Sequence, residues 1–332
     1  MSTYGLVTYG SNGKAYGMNQ TKPLCYLGSM TGLYKSASNN TISQNFSGRC
    51  PADATLVAIP EYVLGVAHST VYTTVKVQPI SISINGLTVT ASFNADQGDS
   101  YQISTPRPNN INVFCIYNNT VSLNGFGLYT SDAGAFPSVV DSTQGMFLSY
   151  QNSFTFTGSF AVPVASGSIV FAGWDNANIG LQLNQNNMTI TGWQNGSTSG
   201  ISTAMKICAF SIKQPVMPSY GMAIYGADNR LSFTSYETPM LHRGYINTPA
   251  LNNDSSSFSA ADWAQQPMIP LFGAIGLEKQ TFDFNDRNLS MGGGILSTAR
   301  GKGLGAGGST SPNVQVVYNS RPLPFLWSTD YF

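Results

Sequence analysis

The chain has 332 residues, of which 42% are hydrophobic, and this combination excludes a protein that is disordered throughout. Only 9% of the residues are charged, where about 25% is usual, and Ser, Thr, Asn, Gln and Gly fill the places that Lys and Glu hold on exposed helices. The formal net charge is zero and no basic run occurs, which excludes the global field that recruits nucleic acid.

The clearest signal in the first third of the chain is a β-hairpin. Residues 71–84 alternate between apolar and polar side chains and are rich in β-branched residues, and residues 87–93 repeat this period of two. Asn85 and Gly86 separate the two stretches, and this pair is the strongest short hairpin signal because both residues accept a positive φ. We therefore predict two paired strands joined by a tight turn.

Strand patterns continue through the rest of the chain, whereas helix patterns are nearly absent. Residues 153–164 and 188–191 also alternate, and Pro and Gly interrupt the chain at close intervals. Only residues 259–266 resemble a short helical turn. The predicted fold class is all-β, built from β-sandwich units.

The opening of the chain is repeated near its last third. Residues 4–10 read YGLVTYG and resemble the YGMAIYG of residues 220–226. Held at the same spacing, the repeat aligns Pro23 with Pro239, Gly28 with Gly244, Pro51 with Pro267, and 58–59 with 274–275. Because Gly and Pro fix turns, a shared fold preserves them first, and we predict that 4–60 and 220–276 form equivalent strands.

A weaker third copy lies between these two. Residues 126–130 resemble the opening, and the apolar stretch 168–172 resembles 56–59. Each copy ends in a similar predicted strand, at 112–117, 205–210 and 313–318. The sequence thus predicts two or three tandem β-sandwich units related by an internal repeat, at 1–122, 123–217 (poor in charge) and 218–332.

The last unit carries a charge cluster beside a Gly-rich segment, 291–308. One interpretation is a flexible loop with solvated charges. The other is an arm that becomes ordered on a neighbouring subunit, since loops of this length are uncommon inside a compact domain. In the second interpretation Arg300 and Lys302 form an inter-subunit docking site and meet acidic or carbonyl groups of another chain.

No catalytic constellation emerges from the sequence, and we expect neither an enzyme nor a cofactor or metal. His68 and His242 are the two histidines, and no Gly-x-Ser-x-Gly elbow accompanies them. Cysteine pairs and His-x-x-x-His spacings for zinc are absent. The segment around Lys302 lacks the Ser or Thr and the helix of a phosphate-binding loop. Glycoside hydrolysis stays a less favoured alternative, because two carboxylates could still meet in space.

Binding is better supported by the sequence than catalysis. Trp174-Asp175 and Trp193 lie beside Asn-rich turns in the charge-poor middle unit. An aromatic face with nearby amides can stack on a sugar ring and hydrogen-bond it, so Trp174, Asp175 and Trp193 are the predicted glycan contacts. The alternative is that both tryptophans are core residues, as is common in β-sandwiches.

Cys25, Cys50, Cys115 and Cys208 are far apart in sequence, which favours free, buried thiols in a protein folded in a reducing cytosol. No stretch is long and apolar enough for a membrane span, and the N-terminus lacks the pattern of a signal peptide. The charge-poor, neutral composition favours self-association, so we expect a homo-oligomer or a subunit of an assembly, with no nucleic acid and no membrane insertion.

The opening pattern, YGLVTYGSNG at 4–13, resembles the start of uncharacterised tail-tip and baseplate β-sandwich proteins of long-tailed bacteriophages. In those proteins a Pro-Leu-Val-Phe-like strand follows, for which 56–59 and 270–272 are the candidates here. The acidic residue that often follows the first strand is absent near Gly13 but present as Asp132 and Asp228. The resemblance covers the starts of the units.

This resemblance implies a structural component of a bacteriophage tail tip or baseplate that takes part in binding the host surface. The implied partners are other tail proteins and a host glycan or protein receptor. The implied location is the virion tail, after synthesis in the host cytoplasm. A glycan-binding adhesin unrelated to phage and a capsid or decoration protein are the alternatives, and a tail-associated glycoside hydrolase is less favoured.

Overall fold

A computed structural model describes residues 7–9, 13–17, 22–33, 41–50, 52–60, 64–68, 75–93, 109–116, 144–217, 219, 221–225, 231–249, 255–280, 283–306, 317–318 and 322–332. Within these ranges the protein is almost entirely antiparallel β-sheet, including a curled half-barrel. The predicted all-β, sandwich-like fold class is confirmed.

The strands follow one another in the chain as β1 (Val7–Tyr9), β2 (Ala15–Gly17), β3 (Lys22–Pro23), β4 (Cys25–Leu33), β5 (Thr41–Asn45), β6 (Thr55–Pro60), β7 (Leu64–His68), β8 (Val75–Asn85), β9 (Thr88–Phe93), β10 (Asn109–Ile116), β11 (Gln144–Phe156), β12 (Ser159–Ala161), β13 (Ile169–Trp174) and β14 (Asn176–Asn184). They continue as β15 (Thr189–Trp193), β16 (Thr203–Ile212), β17 (Ala223–Tyr225), β18 (Leu231–Thr234), β19 (Leu241–His242), β20 (Gly244–Asn247), β21 (Ser256–Ser257), β22 (Pro267–Pro270), β23 (Gly276–Gln280), β24 (Asp283–Gly292), β25 (Ile295–Ala306), β26 (Val317–Tyr318) and β27 (Pro322–Trp327). The helix α1 spans Ala260–Ala264, and a 3-10 turn spans Ser328–Asp330.

Two local predictions are confirmed by these elements. Strands β8 and β9 pair across the predicted turn, and Gly86 has a φ of 54°, which a residue without a side chain adopts at little cost. The short helix begins after Ser259, whose hydroxyl accepts a hydrogen bond from the backbone N–H of Asp262 at 3.1 Å. This N-cap explains why so short a segment is helical within an all-β chain.

The largest sheet has nine strands and is built from three similar sets of three. Its order is β20-β27-β22, then β13-β16-β11, then β4-β10-β6. Each predicted unit contributes one set. In each set the closing strand of the unit (β10, β16 or β27) lies between an earlier strand (β4, β11 or β20) and the middle strand (β6, β13 or β22). Each unit also forms a hairpin in a second layer, as β8-β9, β14-β15 and β24-β25. The order of the strands is therefore the same in all three copies. The exact unit boundaries stay a prediction.

Three residues at or near the start of β4, β11 and β19 occupy equivalent positions of the repeat and lie together in the structure. The spacing that aligns residue 4 with residues 126 and 220 also aligns Leu24 with Met146 and Met240. The N–H of Leu24 donates to the carbonyl of Met240 at 3.0 Å, and the N–H of Met240 donates to the carbonyl of Met146 at 3.2 Å. These three backbones therefore join one another directly.

The pairing around this point is cyclic. The residues after Leu24 pair with those before Met146, as in Cys25 with Gly145. The other two junctions follow the same rule: Phe147 pairs with Pro239, and Leu241 pairs with Pro23. In each case the residues after one centre pair with the residues before the next. The three units thus meet in a local pseudo-threefold arrangement.

The nine-stranded sheet is buried on both faces. In β16, Ile207 and Ala209 point to one side, and Cys208 and Phe210 point to the other. The first side packs under the hairpin layer, in one core for the first unit and one that the second and third units share. The second side forms a cluster with members from all three units, which we name the central core. It consists of Leu24, Val57, Ile59, Phe114, Ile116, Met146, Ile169, Phe171, Cys208, Phe210, Met240, Met268, Leu326 and Tyr331.

Three predicted details are wrong. The repeat does not keep its gapless spacing to its end, because β22 ends at Pro270 and the predicted counterpart of 58–59, at 274–275, lies beyond it. The closing strand of the third unit is β27, not 313–318: residues 317–318 pair with β23 in the other layer, and 313–316 lie outside the described residues. The sequence does not predict β27 because this strand contains prolines at 322 and 324, and proline disfavours inner strands.

The third error concerns the Gly-rich segment 291–308. As far as it is described, to residue 306, it forms the turn of a hairpin and the strand β25, which pairs with β24 along most of its length. A side chain at Gly301 would collide with the amide of Asn288 and would lie 3.0 Å from the carbonyl of Asp286. Glycine is present there because space is missing, so the segment is not a flexible loop.

Candidate functional site

A pocket of about 470 Å³ opens beside the central core, between strands of the second unit and the C-terminal part of the chain. Ser153, Lys206 and Gly173 lie side by side on β11, β16 and β13 and belong to its lining. Because side chains alternate along a strand, Lys206 lies on the same face of the sheet as Cys208, and Gly173 lies on the same face as Phe171, in each case two residues away. The face that carries the central core thus continues into the wall of this pocket.

Gly173 allows two strands that line this pocket to lie close together. A Cβ at this position would lie 2.8 Å from the carbonyl oxygen of Pro267 and 3.1 Å from the side chain of Met268. The glycine lets β22 approach β13 closely, so the third unit can contribute to the same pocket. Like the other strand contacts here, this approach is long-range and leaves no local pattern in the sequence.

The third unit contributes Trp263, Gln266 and Ser328. Trp263 lies on α1, is half-buried, and packs against Phe258 with ring centroids 6.2 Å apart. Gln266 follows the helix with a φ of 55°, a left-handed conformation that is uncommon for residues other than Gly, Asn and Asp. Its carbonyl accepts from the backbone N–H of Ser328 at 2.9 Å, which fixes the 3-10 turn against the helix end.

Lys206 is the cation of the pocket, and its neighbours are neutral. Its Nζ donates to Gln266 Oε1 at 2.6 Å and to Ser328 Oγ at 3.4 Å, and lies 5.2 Å from the ring centroid of Phe332. The one carboxylate of the lining is Asp175, which is exposed and accepts from the backbone N–H of Gly293 at 2.8 Å. The pocket therefore offers an aromatic wall, an amide, hydroxyls and two separated charges.

The predicted glycan contacts are only partly together. Trp174 and Asp175 both line the pocket. The side chain of Trp174 is 3% exposed, belongs to the core shared by the second and third units, and donates its indole N–H to the carbonyl of Ile179 at 3.1 Å. Trp193 is half-buried on β15 and is not part of the lining. Trp263 also lines the pocket and is only partly buried against that core, and no pattern in the sequence distinguishes it as a binding residue.

The predicted docking residues lie elsewhere, on β25. Arg300 is held by Glu278 through two hydrogen bonds of 3.3 Å, and Arg287 Nε lies 3.1 Å from the same carboxylate. Lys302 is exposed. Because β25 is ordered by pairing with β24, the segment needs no second chain to become ordered, and the argument for docking loses that support. A docking role for Arg300 and Lys302 stays a prediction.

The four cysteines are buried, and none of them forms a disulfide. A hydrogen bond with the Cys115 side chain lowers the pKa of Cys50, and burial raises the pKa of Cys208 well above its usual value. Cys115 and Cys208 lie in equivalent closing strands but in different cores.

In the part of the chain that the structure describes, no group of three His, Cys, Asp or Glu side chains is placed to hold a metal ion. The described residues include no helix long and apolar enough to cross a membrane.

The fold and the pocket define a class: an all-β protein of repeated strand order, with a pocket of small-molecule size lined by residues of its predicted second and third units. The chain belongs to a family of unknown function, DUF6453, whose model matches residues 6–307. No curated protein and no solved structure matches the chain.

Proposed function

We propose that this protein is a structural and receptor-binding component of a bacteriophage tail tip or baseplate, and that the pocket binds a saccharide of the host surface. The observation that carries the binding role is the pocket, which combines the half-buried ring of Trp263 with the exposed residues Gln266, an amide, and Ser153, a hydroxyl. Its volume of about 470 Å³ falls in the range of about 300–1,000 Å³ that is usual for small-ligand sites.

The tail assignment is supported by the resemblance of the opening pattern at 4–13 and by the repeated β-sandwich architecture. A protein of this composition is suited to a place among other subunits, because its surface has few charges to oppose association. Exposed Val216, Met217 and Tyr225 lie near one another, with the Tyr225 hydroxyl 3.6 Å from the Met217 sulfur. In this proposal the partners are other tail proteins and further copies of the chain.

Binding is tested with the full-length protein on an array of bacterial surface saccharides. We expect Trp263→Ala to weaken binding about 10-fold or more, because truncating a central aromatic anchor costs about 2 kcal/mol or more. Tyr236→Ala removes an exposed aromatic residue (47%) outside the pocket and serves as the control. Binding that survives Trp263→Ala in a folded variant would exclude the pocket as the site.

The location is tested by electron microscopy of phage particles labelled with antibodies against the chain. Label at the tail tip is the expected result. Label on the head would favour the alternative of a capsid or decoration protein, and particles without label would favour a saccharide-binding adhesin unrelated to phage.

A further inference from the structure

We infer that the ligand of this pocket is an acidic saccharide, whose carboxylate, sulfate or phosphate group is bound by Lys206. The inference rests on the proposed saccharide-binding function and names the chemical class of the ligand. It follows from the way in which Lys206, Gln266 and Asp175 divide the polar contacts of the pocket.

Lys206 differs from the cations that form ion pairs elsewhere in the described residues. Those pairs join Lys213 to Glu237, Arg243 to Asp330, and Arg287 and Arg300 to Glu278. Lys206 is half-buried like most of them, but its contacts are an amide oxygen, a hydroxyl and an aromatic ring. An ammonium group in a pocket, with neutral contacts and no carboxylate among them, is suited to bind an anionic ligand through a charge-assisted hydrogen bond.

The geometry leaves a donor for such a ligand. The ammonium group has three N–H donors, and Gln266 and Ser328 account for two of them. Gln266 has a left-handed backbone conformation, and its backbone carbonyl accepts from the N–H of Ser328. The side-chain oxygen that accepts from Lys206 is therefore attached to a backbone that two chain segments hold in place. Strained residues of this kind are concentrated at ligand sites.

Asp175 explains why the anion is expected on a sugar. It directly follows the last residue of β13, is exposed and lines the same pocket as Lys206. One of its oxygens accepts the N–H of Gly293, which leaves the other oxygen to accept from ligand hydroxyls. A ligand with an acidic group at one end and hydroxyl groups at the other matches both residues, and the ring of Trp263 can cover its apolar face.

The test uses matched pairs of saccharides on the array: trigalacturonic acid with galactotriose, 3′-sialyllactose with lactose, and sulfated with unsulfated disaccharides. Pairs that bind are then measured by calorimetry. We expect the acidic member to bind at least about 10-fold more tightly, and we expect its affinity to fall as salt is added. Lys206→Met, which keeps the aliphatic stem, should weaken the acidic member about 10- to 100-fold and leave the neutral member unchanged, as expected for loss of a charge-assisted hydrogen bond.

Lys14→Met removes a lysine that is half-buried like Lys206 but lies outside the pocket lining, and it should leave both affinities unchanged. Equal binding of both members of each pair by the wild-type protein overturns the inference but leaves the proposed saccharide binding intact. So does an equal loss for both members in a folded Lys206→Met variant. If no saccharide binds, the proposed function fails and the inference fails with it. Should Lys206→Met not fold, the wild-type preference and its salt dependence decide the question alone.

Discussion

Phe210 lies at the contact between units in the central core, and replacing it by Ala tests whether the three units depend on one another. Its ring is fully buried and makes edge contacts with Phe171 and Tyr331, with centroid distances of 5.9 Å and 5.4 Å. Truncating a buried Phe costs about 3–5 kcal/mol, and the loss of two aromatic pairs favours the upper part of that range. Since a native domain is stable by about 5–15 kcal/mol, the effect is large.

The distribution of natural probes lets one unfolding experiment report on different units. All four tryptophans lie after residue 122, and three of the four cysteines lie before it. In a urea titration of Phe210→Ala we expect the midpoints of tryptophan fluorescence and of thiol alkylation to fall together, because Val57, Ile59 and Phe114 of the first unit share the core with Phe210. Exposed Tyr236→Ala should change stability by less than about 0.5 kcal/mol. A fall in the fluorescence midpoint with wild-type reactivity of the early thiols would refute the shared core.

Three further changes test separate features. Tyr331→Phe leaves the buried N–H of Leu241 without its 2.9 Å acceptor and should lower the free energy of unfolding by about 1–3 kcal/mol; urea unfolding at wild-type stability would contradict this. Gly173→Ala should lower the free energy of unfolding by about 1–3 kcal/mol and weaken saccharide binding. Gly48→Ala, with open space around its Cβ, should change neither quantity; scanning calorimetry measures the stability and titration calorimetry measures the binding. Since burial raises the pKa of Cys208, iodoacetamide at pH 8 should modify it only after unfolding, and rapid labelling of the native protein would show the burial to be wrong.

Local signals in the sequence predicted the fold class well. The Asn85-Gly86 turn and the short helix after Ser259 each depend on residues close together in the chain, and the structure contains both. The joining of the three sheets into one could not be predicted in this way. It depends on contacts such as that of Leu24 with Met240, between residues whose own neighbourhoods look ordinary.

The candidate site was predictable only in part. Trp174 and Asp175 were selected because they end an apolar strand beside Asn-rich turns, and both line the pocket. No pattern in the sequence distinguishes Lys206 as a binding residue, and Trp263 lies only within the predicted helical turn at 259–266. Their role depends on the approach of β22 to β13, which Gly173 permits, and a glycine in a strand carries no sign of which backbone will approach it.

The backbone contact of Leu24, Met146 and Met240 has a consequence for synthesis on the ribosome. The N–H of Leu24 needs the carbonyl of Met240, which is made roughly 200 residues later, or about 10–40 s at the usual rates of translation. Until then the part of this edge at Lys22–Leu24, which pairs with Met240–His242, is open, with apolar members of the central core beside it. The nascent chain must therefore be shielded from its neighbours for that interval, and messenger RNA elements that slow translation before Met240 should raise the fraction of chains that aggregate.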